Sequence, residues 1–354
     1  MRRIVVAGAG AIGASIAYHL ALRGARRVVL ADRGAVASGA SGKAFGGIRQ
    51  QFSTAAEVAL ARESISFFRG LGPALFQQVG YVFLATTEDG LAVLEERRAL
   101  QLELGVPVEL LRPDAAAALL PGLAVGDLCG AVYCAEDGTS DPPSVTRELV
   151  RRAVELGVEV REGTPAEELE ADVRVIACGA WSAESAGALG IELPVRPLVR
   201  QLVATTPIAG LPERVPVTIE AETGFHFRRR DGFLVLAMAE AVPRWGFEEA
   251  VDEALAADML RRLAPRFPPA AGAGTARAWA GLYDMTPDAH PLIGWAGEGV
   301  YVACGFSGHG FMQSPAVGRA VAEEILDGGS SLDLSPYRLE RFAGDATFPE
   351  GVIL

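Results

Sequence analysis

Gly8, Gly10 and Gly13, in Gly8-Ala9-Gly10-Ala11-Ile12-Gly13, and the acid Asp32, 22 residues after Gly10, carry the most definite chemistry in this sequence. The first glycine of such a turn lets the chain reverse tightly, the second lets backbone approach a pyrophosphate, and the third lets a helix pack closely on a strand. The N–H groups and positive dipole end of the following helix then face the phosphates. An acid at Asp32 accepts hydrogen bonds from adenosine ribose hydroxyls and disfavours a 2′-phosphate. The pattern reads as a dinucleotide site, with a ligand-free glycine turn as the plainer alternative; the spacing does not separate FAD from NAD.

His226 lies in Gly224-Phe225-His226-Phe227-Arg228. Strand alternation sets its imidazole on the face opposite Phe225 and Phe227. There it orients a substrate or takes a proton from a substrate ammonium, or it is simply a half-exposed strand histidine. His290 and His309 sit in loops whose backbone geometry matters more than the ring, and His19 reads as packing within a helix. Cys129, Cys134, Cys178 and Cys304 show no CxxC spacing and stand in apolar surroundings. They read as reduced core thiols, forming neither a disulfide frame nor a metal site. Lys43 is the sole lysine, so arginine carries nearly all the positive charge.

The elements that must position these residues follow from hydrophobic periodicity. An apolar run over 4–7 predicts a buried strand; Ile12, Ile16 and Leu20, with Ala17 and Ala21, have helical spacing that ends at Gly24; 27–31 is the next strand. Further strands are predicted at 81–85, 131–134, 158–161, 173–177, 195–205, 217–219, 224–228, 233–238, 276–283 and 300–303, with turns at Asp137-Gly138 and Asp231-Gly232. Helices are predicted at 57–68, 89–104, 113–120, 248–263 and 314–326, and one from the Asp141-Pro142-Pro143 cap to about 156. Residues 38–47 read as a small-residue loop, and 164–172 leaves room only for a tight connection.

The 354 residues suit about two domains at roughly 150 residues each. Half of them are apolar and 21 % charged, which excludes a disordered or fibrous chain. A net charge of −12 argues against a nucleic-acid or anionic-membrane binder. No apolar run approaches the roughly 18 residues of a membrane span, and glycines break the opening run, so a cytoplasmic, soluble protein is expected.

Four segments resemble the D-amino-acid oxidase family of flavoproteins, in the branch of sarcosine oxidase beta-type subunits and glycine oxidase. They are Gly8 to Gly13 with Asp32; Gly39-Ala40-Ser41-Gly42 through Gly47-Ile48-Arg49-Gln50-Gln51-Phe52; Ala177-Cys178-Gly179-Ala180-Trp181-Ser182; and 281–294 followed by 305–318. The resemblance implies an α/β fold: a Rossmann-like FAD-binding domain of the GR2 type (1–76, 140–197 and 274–354) plus an α+β substrate domain with a mainly antiparallel sheet (77–139 and 198–273). It implies FAD, with Gly8, Gly10, Ala11, Ile12, Gly13, Asp32 and Arg33 at the ADP half. Ser38, Ser41, Gly42, Lys43, Gly46 and Gly47 would follow the pyrophosphate and ribityl chain, with Cys178, Gly179, Trp181 and Gly281 completing the site. Gly308, His309, Gly310, Phe311 and Met312 would bring a helix N-terminus to the flavin, where amides stabilise charge at N1 and O2; the plainer reading is a helix start needing glycine. Gly281 is nearest to the cysteine that tethers flavin in some relatives, and no histidine occupies the loop after Ser38, so non-covalent FAD is implied.

By the same resemblance, Arg49 falls where sarcosine-oxidase-like members pair the substrate carboxylate, with an ordinary surface arginine as the plainer reading. His226 falls where many carry a tyrosine facing the substrate. Tyr283 takes the place of a carboxylate-binding arginine of glycine-oxidase-like members. The implied activity is oxidation of the C–N bond of a small amino acid or N-methyl amino acid (sarcosine, proline, glycine or D-amino-acid class) by hydride transfer to flavin N5. The alternative is a non-catalytic or weakly catalytic flavin-binding subunit or assembly factor. Lys43 is expected toward the pyrophosphate, and Met312 stands where sarcosine oxidases can show a lysine. An electron-accepting partner is therefore expected to outperform O2, and membership of a hetero-oligomer is a further implication.

Overall fold

The computed structural model describes residues 2–343 and Gly351. Ile4–Ala7 and Val28–Ala31 are short aliphatic runs buried at every position, as strands covered on both faces must be. They pair in parallel, Ile4 beside Val28 through Ala7 beside Ala31. Among the described residues they belong to a six-stranded sheet ordered Leu292–Gly297, Val300–Cys304, Val173–Ile176, Ile4–Ala7, Val28–Ala31, Glu159–Arg161. Its neighbours are parallel except the first two, which form a hairpin. On one face Ile16 and Leu20 of helix Ala11–Leu22 and Val317 and Val321 of helix Gly310–Asp327 pack on Ile4, Val6 and Val175. Each such side chain stabilises the fold by about 1.5–3 kcal/mol. The other face rests on Ala166 and Leu169, where the 164–172 connection makes only a short turn, as its length predicts.

Among the described residues a second sheet has eight strands, ordered Thr275–Met285, Arg196–Thr205, Phe233–Ala237, His226–Arg230, Val217–Glu220, Tyr81–Ala85, Gly130–Cys134, Val108–Leu111. It is antiparallel except where Val217–Glu220 meets Tyr81–Ala85. One face buries Val203, Phe227, Leu234 and Leu236 against Met259 and Leu263 of helix Glu253–Arg266. Cross-strand pairing sets Arg200 beside Gly281 and Leu202 beside Ala237, itself beside His226. Those residues share the opposite face, toward the first sheet.

The fold is thus α/β, with a Rossmann-like sheet and a mainly antiparallel one. The first sheet draws on three separate stretches of chain. Strand Thr275–Met285, expected in the FAD-binding segment 274–354, is instead an edge of the antiparallel sheet, paired along its length with Arg196–Thr205. Residues 344–350 and 352–354 of that expected segment lie outside the described ones. The helix predicted from 248 starts at Glu253, because the Asp252 carboxylate caps it by accepting from Ala254 and Leu255 N–H. Within the predicted 38–47 loop, Ala40–Lys43 makes one helical turn. The turn expected at Asp137-Gly138 falls at 135–136, and Gly138–Thr139 pairs with Gly47–Ile48.

Candidate active site

The glycine turn after the first strand is set by packing. A Cβ at Gly13 would lie 1.8 Å from the Gly8 carbonyl oxygen, and one at Gly8, where φ is +100°, would lie 2.3 Å from the Ala177 oxygen. At Gly10 a Cβ would meet only Ser41 Oγ, at 3.2 Å. Ser41 Oγ accepts from Ala11 N–H (2.9 Å) at the start of helix Ala11–Leu22, and the Asp32 carboxylate accepts from Ala9 and Gly34 N–H (2.7 Å each).

Between the two sheets lies a cavity of about 530 Å³, within the usual range for small-molecule sites. Of the residues singled out from sequence, Gly8, Gly10, Ala11, Ile12, Asp32, Arg33, Ser38, Ser41, Lys43, Cys178, Gly179, Trp181, Gly281, Gly308, Gly310 and Phe311 line it, with His226 and Tyr283. Gly13, Gly42, Gly46, Gly47, His309, Met312 and Arg49 are not in its lining. Gly13 serves helix–strand contact instead. A Cβ at Gly42 would strike the Ala37 oxygen, at Gly46 the Ser140 oxygen and at Gly47 the Tyr81 hydroxyl, so these glycines fit the loop to protein neighbours. Met312 is buried in an apolar cluster with Phe52 and Phe68, and the His309 ring packs edge-on to Phe52.

At the far side a second helix, Gly310–Asp327, points its N-terminus at the cavity. Gln313 N–H is bonded to the His309 carbonyl, so the amides of Gly310, Phe311 and Met312 precede the first helical bond. The turn before it needs Gly308 at φ +94°, where a Cβ would fall 2.3 Å from the Tyr283 ring. Asp284, which sequence reading missed, also lines the cavity and accepts from Gly305 N–H at 2.7 Å. Burial pushes its carboxyl up to about 6, against the pull of surrounding backbone N–H groups. The preceding loop is clamped from behind, Arg341 holding Asp288 at 2.7 and 3.0 Å. The Glu57 carboxylate holds His290 Nδ1 at 2.8 Å and also takes Gln313 Nε2. His290 is thus a buried structural residue.

His226 is 5 % exposed, its ring edge-on to Phe45 and its Nδ1 2.7 Å from the Gly224 carbonyl. A carbonyl only accepts, so Nδ1 bears the hydrogen and Nε2 the lone pair. Burial lowers its pKa to about 4, and the charges of Arg49 and Arg200 add to that. Burial raises the Tyr283 hydroxyl, and the same two arginines pull it back. Arg49 itself is 1 % exposed; its guanidinium lies 4.1 Å over the Phe52 ring and donates to the Gln51 carbonyl. Its loop is pinned where Asp137 accepts from Gln50 N–H (3.0 Å) and Gln51 Nε2 (3.1 Å).

Arg200 does line the cavity, 5.6 Å from the Tyr283 ring centre, with Nη1 donating to Glu240 at 2.9 Å. Its strand, Arg196–Thr205, also carries Arg196 and Gln201, so nothing in the sequence singles Arg200 out. Glu240 belongs to a strap, 238–252, that crosses the mouth. Phe247 stacks on Trp181 (5.6 Å), Glu249 pairs with Lys43, and Gly246 N–H is bonded to the Pro197 carbonyl (3.0 Å). The Lys43 stem packs on Gly281, next to Tyr283's strand position. Among the described residues no cluster of side chains is fit to hold a metal ion. Nor is any helix long and apolar enough to cross a membrane.

The profile of the family described as FAD dependent oxidoreductase, DAO, matches residues 3–324. The chain is 31 % identical to FAD-dependent oxidoreductase domain-containing protein 1 of Xenopus laevis, over 96 % of this chain and 82 % of that protein. It is 29 % identical to glycine oxidase of Geobacillus kaustophilus, over 96 % and 97 %. The solved structure of L-proline dehydrogenase from P. horikoshii superposes with a TM-score of 0.91 at 27 % identity, over 98 % of this chain and 99 % of that one.

Proposed function

This chain belongs to the DAO family of FAD-dependent oxidoreductases, with FAD as its cofactor, and we propose that it oxidises the C–N bond of a small amino acid or N-methyl amino acid. The residues present fit the cofactor. Two helix N-termini face one cavity, and Gly10 leaves backbone open to it; Asp32 stands at the end of the second strand, where a ribose is read. When bound, FAD supplies a hydride acceptor at flavin N5 for the hydrogen on Cα or an N-methyl group.

The observation that carries the reading is the buried, neutral His226, which lines the same cavity as Tyr283 and the N-terminus of the Gly310 helix. Only a neutral amine releases hydride, and His226 Nε2, as a lone-pair acceptor, takes the ammonium proton. Phe45, Leu202 and Ala237 wall the site with apolar surface, which strengthens each polar contact within it. The helix amides offer positive potential to negative charge on the cofactor. The imine product leaves and is hydrolysed by water to a carbonyl compound and an amine or ammonia. FAD is held without a covalent bond, and an electron-accepting partner or dye takes its electrons faster than O2.

Anaerobic mixing with sarcosine, proline, glycine and D-amino acids tests this: at least one bleaches the yellow flavin absorbance. Colour that persists with every amine supports the flavin-binding assembly role instead. Peroxide formation as fast as dye reduction, with the same amine, overturns the acceptor preference.

A further inference from the structure

We propose that Arg200 takes the carboxylate of the substrate through the Nε–Nη2 edge of its guanidinium, with Glu240 holding the opposite side of the group. This rests on the amino-acid reading above and names the residue that would enforce it. A guanidinium offers two N–H groups in a plane along that edge, matching the two oxygens of a carboxylate. In Arg200, Nη1 is committed to Glu240 at 2.9 Å. Nε is buried and has no hydrogen-bond partner among the described residues, and no partner is found there for Nη2. A buried N–H without an acceptor is unfavourable unless a ligand supplies one.

The surroundings agree. Glu240 is 7 % exposed at its side chain and is shared with Arg244 at 2.8 Å, so two guanidiniums meet one carboxylate and a positive charge is left over. Cross-strand pairing puts Arg200 opposite Gly281, two residues from Tyr283, and Arg200 lines the cavity with both of them. The Arg200 guanidinium lies 5.6 Å from the centre of the Tyr283 ring. Arg49, by contrast, is 1 % exposed and lies outside the lining, and it raises the positive potential from behind the wall.

The test uses FAD-loaded protein and two non-reacting probes, 2-furoate and 2-furamide, with binding followed by calorimetry and by perturbation of the flavin spectrum. Wild type prefers the carboxylate. R200M lowers that preference on the order of tenfold to a hundredfold, the worth of a charge-assisted bidentate contact, without changing amide affinity or FAD content. R200K regains only part of it. If R200M does not retain FAD, R200Q carries the same comparison. Equal binding of the two probes by wild type overturns the proposal, as does a preference that survives in R200M or R200Q, or one abolished by R49M alone. Flavin that no amine bleaches, with the R200M effect present, sinks only the oxidation reading; bleaching without that effect sinks only Arg200.

Discussion

Two glycines three residues apart should fail in opposite ways. A Cβ at Gly13 would sit 1.8 Å from the Gly8 oxygen, 1.6 Å short of an ordinary 3.4 Å contact. The obstacle is backbone, so helix Ala11–Leu22 must move off its strand in G13A. Overpacking of this kind costs about 1–3 kcal/mol, and alanine's better helix propensity returns at most about 1 kcal/mol. The protein without cofactor should melt several degrees lower. Gly10 has φ −77°, which any residue adopts, and a Cβ there meets only the rotatable Ser41 hydroxyl at 3.2 Å. G10A should lower the melting temperature of cofactor-free protein by far less than G13A, because only the Ser41 hydroxyl, which accepts from Ala11 N–H, has to shift by a few tenths of an ångström. Its methyl group occupies space on the cavity wall, so FAD affinity should fall at least tenfold. Each factor of ten removes about 1.4 kcal/mol of the stabilisation that saturating FAD confers. Thermal unfolding with and without FAD, together with a fluorescence-quenching titration, reads both quantities. Wild-type FAD affinity in G10A, or cofactor-free G10A as unstable as G13A, would refute the argument.

Acid precipitation should release FAD to the supernatant, as expected of the non-covalent cofactor that the sequence resemblance implies; a coloured pellet contradicts this. His226, at about 4 against an ordinary 6.5, is neutral from pH 5 to 8. The pH profile of flavin reduction should carry no inflection from it, while H226Q slows reduction by no more than about a hundredfold, the low end of a general base's contribution, because so weak a base has little driving force to take the proton. An inflection near 6.5 that vanishes in H226Q would count against its assignment. His19, held at about 4 by burial despite its bond to the Ser15 carbonyl, binds its proton in the unfolded chain first. The stability it contributes is complete above 6.5 and is lost as pH falls toward 4, by about 3 kcal/mol at most. Denaturant melts at pH 7 and 4.5 should therefore show a smaller loss for H19Q than for wild type; equal losses would remove His19 from the account.

The first βαβ unit was legible because its signals are local: glycine spacing, apolar runs and a closing acid lie within 32 residues. Alternation likewise placed His226 on the face opposite Phe225 and Phe227, and only the fold turns that face to the cavity. Strand Val108–Leu111 was not legible, since only Val108 is fully buried and its pattern carries no period. Arg200 looked like any arginine until sheet register set it opposite Gly281, a pairing across 81 residues. Arg49 shows the converse limit. Its motif marked the right loop, but whether the side chain enters the cavity or turns back onto Phe52 depends on packing around Gln50, Gln51 and Asp137. Helix and strand periodicity carries no record of such a choice.

The sole lysine of the chain sits at the cavity mouth, tied to the strap through Glu249. An amine-selective acylating reagent therefore has one side chain to find, and its rate of reaction reports how often the strap lifts. A copy coupled to a surface through this side chain is held by its own doorway, whereas a fluorophore installed there turns that doorway into a built-in sensor of what enters.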